Sequence, residues 1–259
     1  EETAVKVLML GDVVGQNGCR TVCRKLPQLR REYAVDVTVV NGETAAEGNG
    51  ILPADARALR DAGADVVTTG NHVLRRREIY PLLEEEDWLL RPANFHPEAP
   101  GRGITLFDGL RFSLCVINLQ GTVYMDPLEN PFDCVDRLLK GVTTPNIVVD
   151  FHAEATSEKL ALAFYLDGRV SAVVGTHTHI QTADERILPG GTGALTDLGM
   201  CGSFQSILGV KPALAIKRLR THLPVRFEND PGPVRISGIL LQIDEKTGKT
   251  TKIQRLNID

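Results

Sequence analysis

No apolar run in this 259-residue chain approaches the roughly 20 residues that a membrane-spanning helix needs. The opening residues, EETAVKVLML, read as an acidic lead into a strand, without the basic start and apolar middle of a secretory signal. A cytoplasmic protein with no membrane contact is therefore expected. Cysteine is sparse: Cys19, Cys23, Cys115, Cys134 and Cys201 are odd in number, and their spacings match no zinc ribbon. Free thiols in a reducing compartment are the simplest reading, with Cys19 and Cys23 as packing residues one helical turn apart. Positive charge is not in excess either. At a net charge of −4 the chain is not expected to form a stable nucleic-acid complex, although a small basic pocket remains compatible with it. Internal repeats and low-complexity stretches are absent. With 42% hydrophobic residues the chain can bury a large core, and its length suits one large α/β domain or two small ones.

Apolar, β-branched runs alternate with helical patterns. Strands are expected at Val5–Leu10, Asp36–Val40, Asp65–Thr69, Arg111–Leu119, Ile147–Phe151 and Val170–Val174. Helices are expected at Gly18–Arg31, Pro53–Ala62, Arg75–Glu86 and Ser157–Leu166, with Pro53 suited to a first turn. This alternation predicts a mostly parallel sheet covered on both faces. Arg186–Asp230 is rich in Gly and Pro, with a helical piece near Pro212–Arg220, and reads as a lid or extended loop. Val234–Ile243 and Thr250–Leu256 read as a final hairpin around Glu245–Lys249.

Five short segments carry the chemistry: GDVVG (Gly11–Gly15), NGET (Asn41–Thr44), TGNH (Thr69–His72), DFHAE (Asp150–Glu154) and GTHTH (Gly175–His179). Each begins where an apolar run ends. In open α/β sheets ligands gather outside the carboxyl ends of the strands, so the fold would bring Asp12, Glu43, Asn71, His72, His152, His177 and His179 to one rim. In an extended segment residues i and i+2 share a side, which would turn His177 and His179 toward the same metal or adjacent ones. Asp12, Glu43, Asn71, His152, His177 and His179 are too many ligands for one catalytic metal that keeps an open position. They suit two metals about 3.5–4 Å apart, with Glu43 able to bridge them. Such a pair generates a bridging hydroxide and clamps a phosphoryl group, while His72 is the natural general acid for the leaving oxygen. Mixed nitrogen and oxygen ligation without thiolate fits Mn, Fe or Zn better than Mg or Ca.

Taken singly, the segments have plainer explanations. A strand-end Asp before Gly is as often only a turn, Glu43 could cap the next segment, and His152 alone could be a satisfied core histidine. GTHTH is the most specific of the five. His96 and His222 read as loop residues. Asp150 and Glu154 could orient an imidazole, although a surface role for Glu154 is as reasonable. Arg75–Arg76–Arg77 reads first as a solvated helix start and second as a phosphate contact near the metals. The Gly-rich stretches 190–193 and 199–202 lack a P-loop lysine.

The order Asp, acidic, GNH, His, GxHxH resembles the calcineurin-like metallophosphoesterase superfamily. GDVVG, NGE, TGNH, DFHAEATSEK and VVGTHTHIQTADERILPGGTGALTDLGMCG are more similar still to its YmdB-like branch, from near Leu8 to about Gly202 and over most of the chain. The superfamily's first motif, DxH, is here Asp12–Val13–Val14, and its GD is Gly42–Glu43; both departures are those of the branch. The branch commonly reads NGEN where this chain has Thr44. The resemblance implies a four-layer αββα sandwich spanning 1–259 as one metallophosphoesterase domain, with a lid or loop insertion at about 186–230. It implies two divalent or mixed-valence transition metals, iron or manganese foremost, and a homo-oligomer. By position, Asp12, Glu43 and His179 would hold one metal, and Glu43, Asn71, His152 and His177 the other. The implied activity is phosphodiester hydrolysis of cyclic nucleotides, including 2′,3′-cyclic AMP, with His72 as proton donor or transition-state stabiliser. A phosphomonoesterase acting on nucleotides or phosphoproteins is the alternative enzyme, and a regulatory or RNA-associated protein that binds metal and ligand with little turnover is the alternative of another class. The sequence names no substrate-binding residues.

Overall fold

The computed structural model describes residues 3–259 and contains two mixed β-sheets with helices against them. In the first sheet β1 (Ala4–Leu10) lies between the parallel β3 (Val37–Asn41) and the antiparallel β12 (Val234–Asp244). The sheet continues from β3 to parallel β4 (Val66–Thr68). On the other side β12 pairs with β13 (Thr250–Ile258) and with β11 (Met200–Ser203), which carries the two-residue β2 (Asp12–Val13). The second sheet runs β5 (Ile104–Asp108), β6 (Ser113–Gln120), β7 (Ile147–His152), β8 (Ala172–Thr176), β10 (Gly193–Leu195) and β9 (Arg186–Ile187). Its four middle strands, β6 to β10 in that order, are mutually parallel, and both outer strands are antiparallel.

Alternation along each strand sorts the apolar residues into three clusters. Leu8, Leu10, Val40 and Val67 face α1 (Gly15–Glu32) and α2 (Pro53–Ala62), which bury Val22, Leu26, Ala56 and Leu59 against them. Val7, Met9, Val39 and Val66 face the other way, in one cluster with Val116, Val148 and Val174 of the second sheet. Ile117, Val149, Phe151 and Val173, on the far face of that sheet, meet Cys134 and Val135 of α4 (Pro131–Leu139) and Leu162 and Ala163 of α5 (Thr156–Tyr165). Strands buried on both faces are why the sequence shows unbroken apolar runs. Truncating a residue of the middle cluster, such as Met9, would cost about 2–5 kcal/mol.

Several expectations change. One mostly parallel sheet becomes two mixed sheets, because β12, β13, β5 and β9 add antiparallel partners. The single helix expected at Arg75–Glu86 is two 3₁₀ turns, Val73–Arg75 and Arg77–Ile79, followed by α3 (Tyr80–Glu85). Arg76 is extended, at φ −108° and ψ 109°, which breaks the helix, and Pro81 suits the first turn of α3. Neither β5 nor α4 was read from the sequence; α4 starts where the Asn130 side chain accepts the Phe132 N–H at 2.9 Å. The stretch expected to be a lid or loop at 186–230 divides. Its first part supplies β9, β10 and β11 to the two sheets, and the remainder holds α6 (Pro212–Thr221). The final hairpin forms as expected. Among the described residues no helix is long and apolar enough to cross a membrane.

Candidate metal centre

The carboxyl ends of β1, β3 and β4 in one sheet and of β7 and β8 in the other deliver the polar segments to a common place. Two glycines make the approach feasible. A Cβ on Gly11 would lie 1.8 Å from the Gly199 carbonyl oxygen, and one on Gly70 would lie 2.1 Å from the His152 ring. Asp12, Glu43 and His152 are almost fully buried.

His152 is the centre of the cluster. Its Nε2 lies 3.2 Å from Glu43 Oε1, 3.2 Å from His177 Nδ1 and 3.0 Å from Asn71 Oδ1. Glu43, His152 and His177 each offer a ligand atom within 4.8 Å of the others. Asp12 borders the group: Oδ2 accepts the His177 backbone N–H at 3.1 Å, and Oδ1 lies 3.7 Å from His152 Nδ1. That Oδ1 is buried and has no hydrogen-bond partner. An acceptor-only oxygen left without a donor in a site of nitrogen and oxygen donors is what a cation would satisfy, so the residues present fit a metal.

Each imidazole has one nitrogen tied to an acceptor and the other left for the site. Thr176 Oγ1 donates to Asp150 Oδ1 at 2.7 Å, so it accepts from His152 Nδ1–H at 2.9 Å and leaves Nε2 facing the cluster. His177 Nε2 is 2.9 Å from Glu154 Oε2, which leaves Nδ1 facing His152. His179 Nδ1 donates to the Leu208 carbonyl at 3.1 Å, which leaves its Nε2 free. His179 stands outside the tight group, although its charge acts on Asp12.

The electrostatics are those of donors suited to a cation. Burial pushes Asp12 up to about 6, against the pull of His179 and His152. Burial opposes a charge on His152 too, but Glu43 and Asp12 outweigh it and raise the imidazole to about 9. The cluster thus favours positive charge on the His152 ring, where a metal's charge would sit. Burial also disfavours Glu43's charge, yet His152 and His72 hold its carboxyl well below the usual range. His177 is pushed down to about 3, first by burial and then by His152, so its imidazole is neutral and suited to bind a cation.

His72 is bound to Glu43 twice: its backbone N–H reaches Oε2 at 2.9 Å and Nδ1 lies 3.0 Å from Oε1. Its side chain keeps 27% exposure, so part of it is open to solvent. Thr44 is spent elsewhere, its hydroxyl donating to the Val13 carbonyl at 2.8 Å. His96 accepts a local N–H from Glu98, and His222 ends α6 in a left-handed conformation; both are loop residues, as expected.

His177 and His179 do not lie on an extended strand and do not share a side by alternation. β8 stops at Thr176, and the two histidines adopt positive φ, 97° and 65°. A buried pair holds this bend: Lys159 Nζ meets Asp197 Oδ2 at 2.8 Å, and the same oxygen accepts Thr178 Oγ1–H at 2.6 Å and Thr178 N–H at 3.2 Å. Sequence reasoning assigned no role to Lys159, Thr176 or Asp197. Asp197 sits in the matched string TDLGMCG, the one signal that could have marked it.

The model of the YmdB-like protein family matches residues 8–256. Over 257 residues the chain is 47% identical to the 2′,3′-cyclic-nucleotide 2′-phosphodiesterase of Bacillus subtilis (strain 168), covering 98% of this chain and 97% of that one. Among crystal structures, a hypothetical protein from Thermus thermophilus superimposes with a TM-score of 0.93 at 41% identity, covering 98% of both chains. A novel phosphatase from Mycoplasma pneumoniae gives 0.95 at 32% identity, covering 100% of this chain and 94% of that one. With its strand-end cluster in place and a match along nearly its whole length, the chain belongs to the YmdB-like family.

Proposed function

We propose that this protein is a phosphodiesterase that opens 2′,3′-cyclic nucleotides with the help of two transition-metal ions. The observation that carries the reading is the convergence of Glu43, Asn71 and His177 on His152 Nε2, beside the partnerless oxygen of Asp12. Asp12, Glu43 and His179 would hold one metal, and Glu43, Asn71, His152 and His177 the other, with iron or manganese favoured and zinc acceptable to the same donors. When bound, such ions bring a water's pKa toward neutrality and offset charge on the phosphate oxygens.

The chain's own residues supply the rest. His72 is oriented through Nδ1 by Glu43, so Nε2 is the atom that meets the leaving oxygen. Water oxygen forms a bond to phosphorus, the P–O2′ bond breaks, and O2′ leaves with a proton from His72, which the proton lost by the water replaces, giving a nucleoside 3′-monophosphate. Asp150 through Thr176, Glu154 and the Leu208 carbonyl keep the three ligand imidazoles in the tautomers the site needs.

The proposal includes one domain of four layers, helices–sheet–sheet–helices, supported by the three apolar clusters. Within it, 204–230 is the loop insertion. Five free cysteines support a reducing, cytoplasmic location. Exposed Ile216 and Leu219 on α6 support a homo-oligomer.

The test is metal analysis of protein purified without chelator, followed by turnover of 2′,3′-cyclic AMP, bis-p-nitrophenyl phosphate and p-nitrophenyl phosphate. About two ions per chain and preference for the diesters are expected. One ion or none would remove the dinuclear site. Preference for the monoester would make the protein a phosphomonoesterase, and inertness toward all three with every metal tried would make it a binding protein.

A further inference from the structure

A cleft of about 920 Å³ is lined by Arg75 and Arg76, which follow the His72 segment, and by Arg226 and Phe227 across from them. Both walls grow out of the cluster's edges. On the first, Arg75 N–H donates to the His72 carbonyl at 3.0 Å. On the second, Leu208, which accepts from His179, leads through Gly209 to Val210, and Val210 pairs with Asn229. Two short links therefore join the lining of the cleft to the cluster.

The lining is suited to an anion with a flat face. Arg75, Arg76 and Arg226 form no ion pair among the described residues; Arg76 bonds only to the carbonyls of Glu47 and Asn49. The two carboxylates in the lining are both engaged. Glu228 is paired with Lys211 Nζ at 2.6 Å, and Glu47 accepts the Gln16 N–H at 3.3 Å. Phe227 is 48% exposed, an aromatic surface of the kind on which a base stacks. The volume lies in the range of small-molecule sites and is far more than one phosphate fills. The phosphate being hydrolysed belongs to the metals, so guanidinium groups in a separate cleft call for a second one.

We propose that the cleft binds the 5′ side of the substrate, and that the preferred substrate is a ribonucleotide with a 2′,3′-cyclic phosphate and a second, 5′-linked phosphate. Either a 5′-phosphorylated mononucleotide or the end of a short RNA strand presents this chemistry. Phe227 stacks on a base, and Arg75 and Arg226 take the 5′-phosphate. The inference rests on the phosphodiesterase reading and extends it.

The experiment compares kcat/KM of the metal-loaded protein on adenosine 2′,3′-cyclic phosphate, on its 5′-phosphorylated form and on the dinucleotide ApA with a terminal 2′,3′-cyclic phosphate. The 5′-phosphate should raise kcat/KM by about tenfold or more, as charge-assisted contacts to arginine do. If the dinucleotide shares the gain, the second phosphate is supplied by an RNA end; if only the phosphorylated mononucleotide gains, it is supplied by a terminal 5′-phosphate. Replacing both Arg75→Ala and Arg226→Ala should bring the ratio close to one. Equilibrium titration of the same protein should favour adenosine 3′,5′-bisphosphate over adenosine 3′-monophosphate to a similar degree. Equal treatment of all three substrates by the native protein, or a preference that survives in the double variant, would overturn the inference and leave the phosphodiesterase reading standing. No turnover of the three or of bis-p-nitrophenyl phosphate would instead overturn that underlying reading.

Discussion

The metal cluster and the 204–230 segment adjoin, yet they are built in opposite ways. Every proposed ligand follows or ends a buried strand, and each of the three ligand imidazoles is anchored through its second nitrogen. The adjoining segment exposes Phe204, Ile207, Leu223 and Phe227, and its helix α6 buries only Ala215. The cluster is held between two sheets, whereas the segment leaves large apolar side chains exposed. On the proposed reading, reaction geometry falls to the part held by the two sheets, and recognition of what surrounds the phosphate to the exposed part.

The strongest way to break this contrast is to remove its centre. His152→Ala should leave at most about one metal ion per chain and lower turnover by about a thousandfold or more, read by metal analysis and by kcat on 2′,3′-cyclic AMP. Two retained ions would show that His152 is not the hub. His72→Ala should be next in size, with kcat down by about 10²–10⁴ and metal content kept, since its bonds to Glu43 orient that carboxylate without supplying a ligand atom. Unchanged kcat would remove its assignment as proton donor.

Thr176→Val tests whether the anchoring behind the ligands matters. The threonine hydroxyl joins Asp150 to His152, and valine keeps its shape without the hydrogen bonds. Metal affinity should fall about 10–100-fold, and Thr176→Ser should restore most of it. Equal affinity in the valine and native proteins would mean that Glu43 and Asn71 alone orient the ring.

These positions were unequally legible in the sequence. Parallel strands buried on both faces leave continuous apolar runs, so the polar residues at their ends stand out; this is how Asp12, Glu43, Asn71 and His152 could be read. The same burial hides which sheet a strand joins, because a run apolar on both faces carries no alternation. Short strands such as Gly193–Leu195 and Met200–Ser203 sit among glycines that otherwise signal loop. The bend at His177–His179 was invisible, since nothing local demands positive φ at two histidines; Lys159 and Asp197, distant in sequence, impose it. Thr176 and Glu154 act only through partners that the tertiary fold supplies. Phe227 and Arg226 lie in a stretch with no periodicity, and their shared cleft exists only once 204–230 folds back beside the 47–49 turn.

The smallest effect concerns the cost of keeping the cluster ready. Asp12 is fully buried, and its carboxyl titrates at about 6 in the folded chain against 3.8 when unfolded. The folded state thus binds the proton more tightly, so without metal stability declines as pH rises from 3.8 toward 6 and stays reduced above it. Asp12→Asn removes that charge while keeping an oxygen for the His177 N–H. In metal-free protein the variant should melt a few degrees above the native chain at pH 8 and level with it at pH 4. Added manganese should reverse the order at pH 8, because the native carboxylate holds the ion more tightly than a neutral amide does. A variant that melts below the native chain at pH 8 without metal would show that Asp12 is already compensated by His152 and His179. The cluster would then be a self-sufficient polar core, and its contrast with the open segment beside it would lose its functional meaning.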